Sequence, residues 1–324
     1  MKKALELQAS TPRTKASERK RQRSILWQRV KRNKEIYLLV LPVIVYYILF
    51  HYKPMYGLVI AFQDFRPRKG IAGSEWVGLE NFMMFFKSIY FGRLIRNTLR
   101  ISLSTLIFGF PAPIILALLI NELKSIRFSR FVQTVTYMPH FISLVVICAM
   151  IRDFVKSNGV VTQLLVVLFG YDGKDLLSRA SAFVPIYVIS NIWQGVGWGS
   201  IVYLAALTAI DPQLYEAAEV DGANTRWKKT IHITLPCLLP TIIIMFIMRM
   251  GQIMSVGYEK IILLYNEGIY ETADVISTYV YRMGIVNRQY SFSAAVGLFN
   301  SVINFILVVL TNKISRKVSE TSLW

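Results

Sequence analysis

Asn191, Gln194 and Trp198 follow one another at i, i+3 and i+7, which places them on one side of a helix. Two amides that hydrogen-bond hydroxyls, with an indole as an apolar plate, are what a sugar ring requires; the same amides would serve equally for bonds between helices. A second row at helical spacing, Ser293, Gly297, Asn300 and Asn304, carries the same two readings. Arg249 is the one ionisable residue that falls deep within an apolar run. If that run lies in a bilayer, a lone charge there costs roughly 2.5–3.5 kcal/mol, so Arg249 must face water, a carboxylate or a substrate. Either it meets an acidic sugar such as a uronate oligomer, or it bonds backbone carbonyls or a partner-chain acid and keeps helices in register. Other chemistry lacks its residues. No GxxxxGK[ST] loop is present, since Gly173-Lys174 is followed by Asp175. His51, His140 and His232 are far apart with no HExxH, which predicts no catalytic residues and no metal site. Cys148 and Cys237 both sit in apolar runs and form no CxxC pair.

These residues need elements that an ordinary soluble globule does not supply. Of 324 residues 54% are apolar and 17% charged, and the apolar ones come in runs of about twenty, the length that crosses a hydrocarbon core. The expected fold is an all-α integral membrane protein with six transmembrane helices over 36–52, 101–120, 131–151, 182–210, 236–256 and 292–310. The first run is short, so its helix is either little tilted or continues through 55–62. The run 160–169 is too short to cross and predicts an interfacial or loop helix. Gly195 and Gly199 form a GxxxG that predicts close helix packing in span four.

Orientation follows from the cations, because positive segments stay in the cytoplasm. Twelve Lys and Arg precede the first run, from Lys2 to Lys34, and placing both termini inside leaves fewer cations in the outer loops, so the topology is N-in, C-in. The basic tail reads as a retention signal that also touches anionic membrane lipid, with no nucleic acid required, and not as a cleaved leader. The organisation is a basic cytoplasmic tail over 1–34, a transmembrane domain over 35–317 and a short cytoplasmic tail over 318–324.

The most informative connection is the inner loop over 211–236. Asp211 suits an N-cap and Pro212 the first helical turn, so a short helix begins there and stops near Gly222. A second helix runs from about Thr225 into Leu235-Pro236, where the proline opens span five. Ala217 and Ala218 let another surface approach the backbone, and Glu216, Glu219 and Asp221 supply charge for pairing. A solvated connector would also accept acids early in a helix.

Glu216-Ala217-Ala218, then Gly222, then Ile233-Thr234-Leu235-Pro236 resembles the EAA loop of ABC importer permeases. Ten residues, Ala223 to His232, separate the glycine from the isoleucine, where the family pattern has nine. Trp76-Val77-Gly78-Leu79-Glu80-Asn81-Phe82, Val275-Ile276-Ser277-Thr278-Tyr279-Val280-Tyr281-Arg282 and Ala294-Ala295-Val296-Gly297-Leu298-Phe299 are similar to the carbohydrate-uptake branch of the type I permeases, particularly those for oligo- and polysaccharides such as alginate.

The resemblance implies a multi-pass subunit of a bacterial cytoplasmic membrane, not itself an enzyme. Its implied partners are a second homologous permease, two ABC ATPase subunits and an extracytoplasmic solute-binding protein. ATP and Mg would sit on the ATPase partner, leaving no cofactor on this chain. Glu216, Ala217, Ala218, Asp221 and Gly222 would couple to the ATPase; Asn191, Gln194, Trp198, Arg249, Asn300 and Asn304 would line the path. The rival expectation, an ion-coupled secondary sugar transporter, requires an intramembrane Asp or Glu relay that the runs do not contain. A non-transporting scaffold leaves both polar rows unexplained.

Overall fold

The computed structural model of the protein describes residues 32–223, 225–319 and 321–323. The basic tail up to residue 31 and Asn224 of the inner loop lie outside them. The described chain is predominantly helical, and its one sheet is a two-stranded ladder, β1 Gln63–Asp64 antiparallel to β2 Glu75–Trp76. The principal helices are α1 Lys34–Phe62, α2 Glu80–Lys87, α3 Phe91–Asn121, α4 Ile126–Phe141, α5 Leu144–Val155, α6 Val160–Phe169, α7 Ala180–Thr208, α8 Pro212–Val220, α9 Arg226–Met250, α10 Tyr258–Leu264, α11 Ile276–Tyr281 and α12 Tyr290–Ser319.

Among the described residues four helices, α1, α3, α9 and α12, are long and apolar enough to cross a membrane, and a bent pair adds a fifth. α7 has the length but carries the polar row. The first unit, up to Val59, is the greater part of α1; its helix runs on beyond Tyr52, and none of its residues from Lys34 to Tyr47 is buried. The second unit, Ile60–Trp324, holds the core.

The third apolar run differs from the single span expected over 131–151. α4 meets the helical stretch Leu144–Phe169, which comprises α5 and α6, at 99°. Pro139 tightens Met138–Phe141 into a 3-10 turn, and Ile142 and Ser143 are extended, so an unbroken apolar sequence does not make an unbroken helix.

Three helices pass through prolines by widening a turn. π turns cover Ile48–Tyr52, Thr105–Gly109 and Thr230–Thr234, and Pro54, Pro111 and Pro236 follow them. In each case the carbonyl four residues before the proline, which the ring would strike and which has no N–H to accept, lies inside the wide turn.

α7 is the axis of the second unit. Its Phe183, Tyr187 and Val188 pack with Ile147 and Cys148 of α5 and with Ile261 and Leu264 of α10, while Tyr203 and Leu207 pack with Ile114 and Ala117 of α3 and Leu238 of α9. A third cluster joins Phe85, Leu94, Ile276, Tyr279, Phe292 and Val296. The close approach on α7 is made by Gly197, where a Cβ would lie 2.1 Å from the Thr136 carbonyl oxygen of α4. Gly199 meets Pro113, whereas a Cβ on Gly195 would find open space, so the GxxxG pair is only half a packing motif.

Candidate functional site

The inner loop folds as a stapled helical hairpin. Asp211 accepts a hydrogen bond from Gln213 N at 2.9 Å and Pro212 occupies the first turn of α8, as the sequence requires. α8 ends in a Schellman turn: Ala223 N donates to Ala218 O at 2.8 Å, and Gly222 takes the left-handed conformation at φ +84°. Thr225 caps the helix that follows, its Oγ1 accepting from Lys228 N. That helix is continuous to Met250 through the π turn over Thr230–Thr234. A π turn takes in one residue more than an α turn, which accommodates the tenth residue between Gly222 and Ile233.

Side chains tie the hairpin together and to its neighbour. Glu219 pairs with Lys229, the Tyr215 hydroxyl lies 3.1 Å from Thr234 Oγ1, and Arg226 lies 3.6 Å from the Glu122 carboxylate beyond α3. Glu219 is thus used internally. Glu216 and Asp221 remain exposed, with no side-chain hydrogen bond or ion pair among the described residues. Around them Leu214, Val220 and Trp227 are exposed as well, the last two by 88% and 73%, so the hairpin presents acids beside apolar anchors.

The polar row of α7 is occupied from an unexpected direction. Lys260 of α10 is buried, and its Nζ donates to Asn191 Oδ1 at 2.8 Å, with Gln194 Oε1 at 3.5 Å and the Tyr187 ring centroid at 5.8 Å. Burial pushes its ammonium down to about 8. Trp198 continues the row, exposed on one side and stacked on the His140 ring at 4.5 Å, with Phe141 edge-on. Lys260 and His140 were not legible as members of this face. The available signal for Lys260 is its i, i+4 spacing with the buried Leu264 on α10.

The remaining expected residues separate. Arg249 is exposed in the last turn of α9, which ends at Met250, so it sits beside helix-terminal carbonyls and not two thirds along a longer span. Asn304 of α12 is buried and accepts from Met254 N at 2.9 Å while donating to Ser255 Oγ at 2.9 Å, which ties α12 to the turn after α9 and not to another helix. Asn300, one turn earlier, keeps a buried Oδ1 without a partner among the described residues.

A charged cluster that sequence reasoning did not find lies ahead of α11. Asp274 is fully buried and accepts from Arg282 at 2.7 and 3.1 Å, from Thr278 Oγ1 at 2.8 Å and from Arg93 of α3 at 3.4 Å. Burial alone would lower the Arg282 guanidinium; its hydrogen bonds and charge contact with Asp274 outweigh that and raise it. Asn97 bonds the Asp274 and Glu271 carbonyls and Thr98 accepts from Ile276 N, so the cluster fixes the 271–282 segment against α3.

A capped hairpin with exposed acids, set among apolar helices, is joined by a direct family match: residues 109–320 match the binding-protein-dependent transport system inner membrane component. The chain belongs to that family of inner membrane components. This component is 41% identical over 306 residues to the polygalacturonan/rhamnogalacturonan transport system permease protein YteP of Bacillus subtilis (strain 168), covering 94% of this chain and 95% of that protein. It is 43% identical over 296 residues to Protein LplB of the same organism, covering 91% and 92%. Among solved structures it resembles a chain of a bacterial ABC transporter involved in the import of the acidic polysaccharide alginate, with a TM-score of 0.82 and 45% identity over 91% of this chain and 99% of that one. It also resembles a chain of the bacterial alginate ABC transporter in complex with an alginate pentasaccharide-bound periplasmic protein, with a TM-score of 0.83 and 44% identity over 92% and 99%. As a component of such a transport system with several apolar helices, it is a multi-pass membrane protein.

Proposed function

We propose that the chain is a permease subunit of an ATP-driven importer of oligo- or polysaccharides in a bacterial cytoplasmic membrane, with acidic saccharides as the preferred class. The observation that carries the reading is the hairpin over 211–236: an exposed Glu216 and Asp221 beside Val220 and Trp227, on a turn held by Gly222 and internally stapled. Charged rims around exposed aromatic and aliphatic anchors suit docking to another protein. In this reading Glu216, Ala217, Ala218, Asp221 and Gly222 contact ATPase subunits, which hold ATP and Mg, and a second, related permease completes the path. The acidic class is supported by what the similar transporters are named for, alginate and polygalacturonan.

Six crossings with both termini inside follow if α4 and α5 count as one broken span and α7 as another, its polar row facing the path. Asn191, Gln194 and Trp198 then line the path on α7, with Arg249 and Asn300 at its edges and Asn304 holding α12 in place. A periplasmic binding protein delivers the saccharide to the outer loops. ATP binding acts on transport only through a differential fit of the hairpin to two states of the ATPase pair.

The deciding experiment is purification of the tagged chain from membranes in mild detergent, followed by ATP hydrolysis with a saccharide-loaded binding protein. A second permease and an ATPase should copurify, and hydrolysis should rise with the loaded binding protein. Glu216→Lys should abolish uptake with the protein still in the membrane. Full uptake by that variant would remove the coupling role from the hairpin.

A further inference from the structure

Lys260 is a buried ammonium without a counter-ion. It is 4% exposed, and none of the ion pairs among the described residues includes it. A buried charge is tolerated only where dipoles replace its water, and here two amide oxygens do so. An ammonium only donates, so it fixes which way each amide faces: oxygen towards Lys260, NH2 away from it. The Gln194 NH2 makes no hydrogen bond among the described residues, and beside it Gly195 borders open space.

The face therefore combines the buried Lys260 charge with an amide NH2 that has no partner among the described residues. A sugar hydroxyl both donates and accepts and gains nothing special from such a face, whereas a carboxylate accepts only and carries the complementary charge.

We infer that Lys260 is a positioning residue for charge selectivity: by holding the Asn191 and Gln194 amide oxygens it turns N–H donors and positive potential towards the carboxylate of an acidic saccharide in the path. The inference rests on the saccharide-permease reading above. Without Lys260 the amides are free to flip and offer carbonyl oxygens to hydroxyls, so the preference relaxes.

The test uses the complete transporter, with its own partners and binding protein, reconstituted in liposomes. The probes are a galacturonate trimer and its methyl ester, in which the carboxylates are neutral. The binding protein's own preference cancels between permease variants. Lys260→Met should lower the acid-over-ester preference about tenfold, with the loss in KM and not in kcat. Lys260→Arg, which keeps the donor and the charge, should retain the preference, and Gln194→Leu should reproduce the loss if the methionine variant does not assemble. Where only the acid is taken up, its KM is the readout, with the same expected change. Equal effects of Lys260→Met on both probes, or no change in preference, would overturn the inference while leaving the permease reading intact. A wild type that takes up neither trimer nor any other saccharide would overturn that reading and the inference with it.

Discussion

At the residue scale, Lys260 makes protonation a property of the fold. Its ammonium is held down to about 8 by burial, against 10.5 for an ordinary lysine, with the nearby Cys148 acting in the opposite sense and Tyr187 facing it through its ring. Below pH 8 the folded and unfolded chains both carry the proton, and the cost of burying the charge is fully present. Between about 8 and 10.5 the unfolded chain binds more protons than the folded one, so stability rises with pH across that window. Lys260→Met removes the titrating group. The unfolding temperature of the solubilised wild type should rise relative to that variant between pH 8 and 10.5; parallel curves would show that the ammonium is not desolvated as described. Asn191 and Gln194 were legible in the sequence as a polar face because their spacing is local. Their partner was not, since it lies more than sixty residues further along the chain and only packing brings α10 onto α7.

At the scale of elements, the α8 hairpin shows where local signals suffice. Asp211, Pro212 and Gly222 act on the backbone within a few residues, and each does what its type dictates. A Cβ on Gly222 would meet no neighbour, so the only penalty for a side chain there is the left-handed backbone, about 1–2 kcal/mol for a β-branched residue. Gly222→Val should therefore reduce saccharide-stimulated ATP hydrolysis in the assembled transporter without lowering the amount of chain in the membrane, and Gly222→Asn should do so less. Equal activity of the valine variant would mean the turn need not be held in this form. The break between α4 and α5 was less legible: Pro139 is visible in the sequence, but the apolar residues on either side give no sign that the chain turns by 99°.

At the scale of the whole molecule, the packing around α7 decides which glycines matter. Sequence spacing singles out Gly195 and Gly199, yet the carbonyl of Thr136 rests on Gly197, because the facing surface, and not the repeat, sets the contact. Gly197→Ala forces α4 and α7 apart and should destabilise the solubilised protein by roughly 1–3 kcal/mol, the usual range for overpacking. Gly195→Ala should leave the unfolding temperature unchanged, and equal losses in both variants would contradict the packing described. The Asp274 cluster belongs to the same scale. Its two arginines come from α3 and from the turn after α11, so no local pattern announces it, although it ties distant parts of the chain with charge-assisted bonds.

The wide turn over Thr230–Thr234 lies between the hairpin and the apolar length of α9. Its carbonyl ladder is already interrupted ahead of Pro236, so the turn resists bending less than the helix on either side. If the hairpin docks on a partner as proposed, a push on it would reach the apolar length through a compliant joint, and that length could tilt while the hairpin kept its grip, much as a wrist lets a hand stay flat while the arm swings.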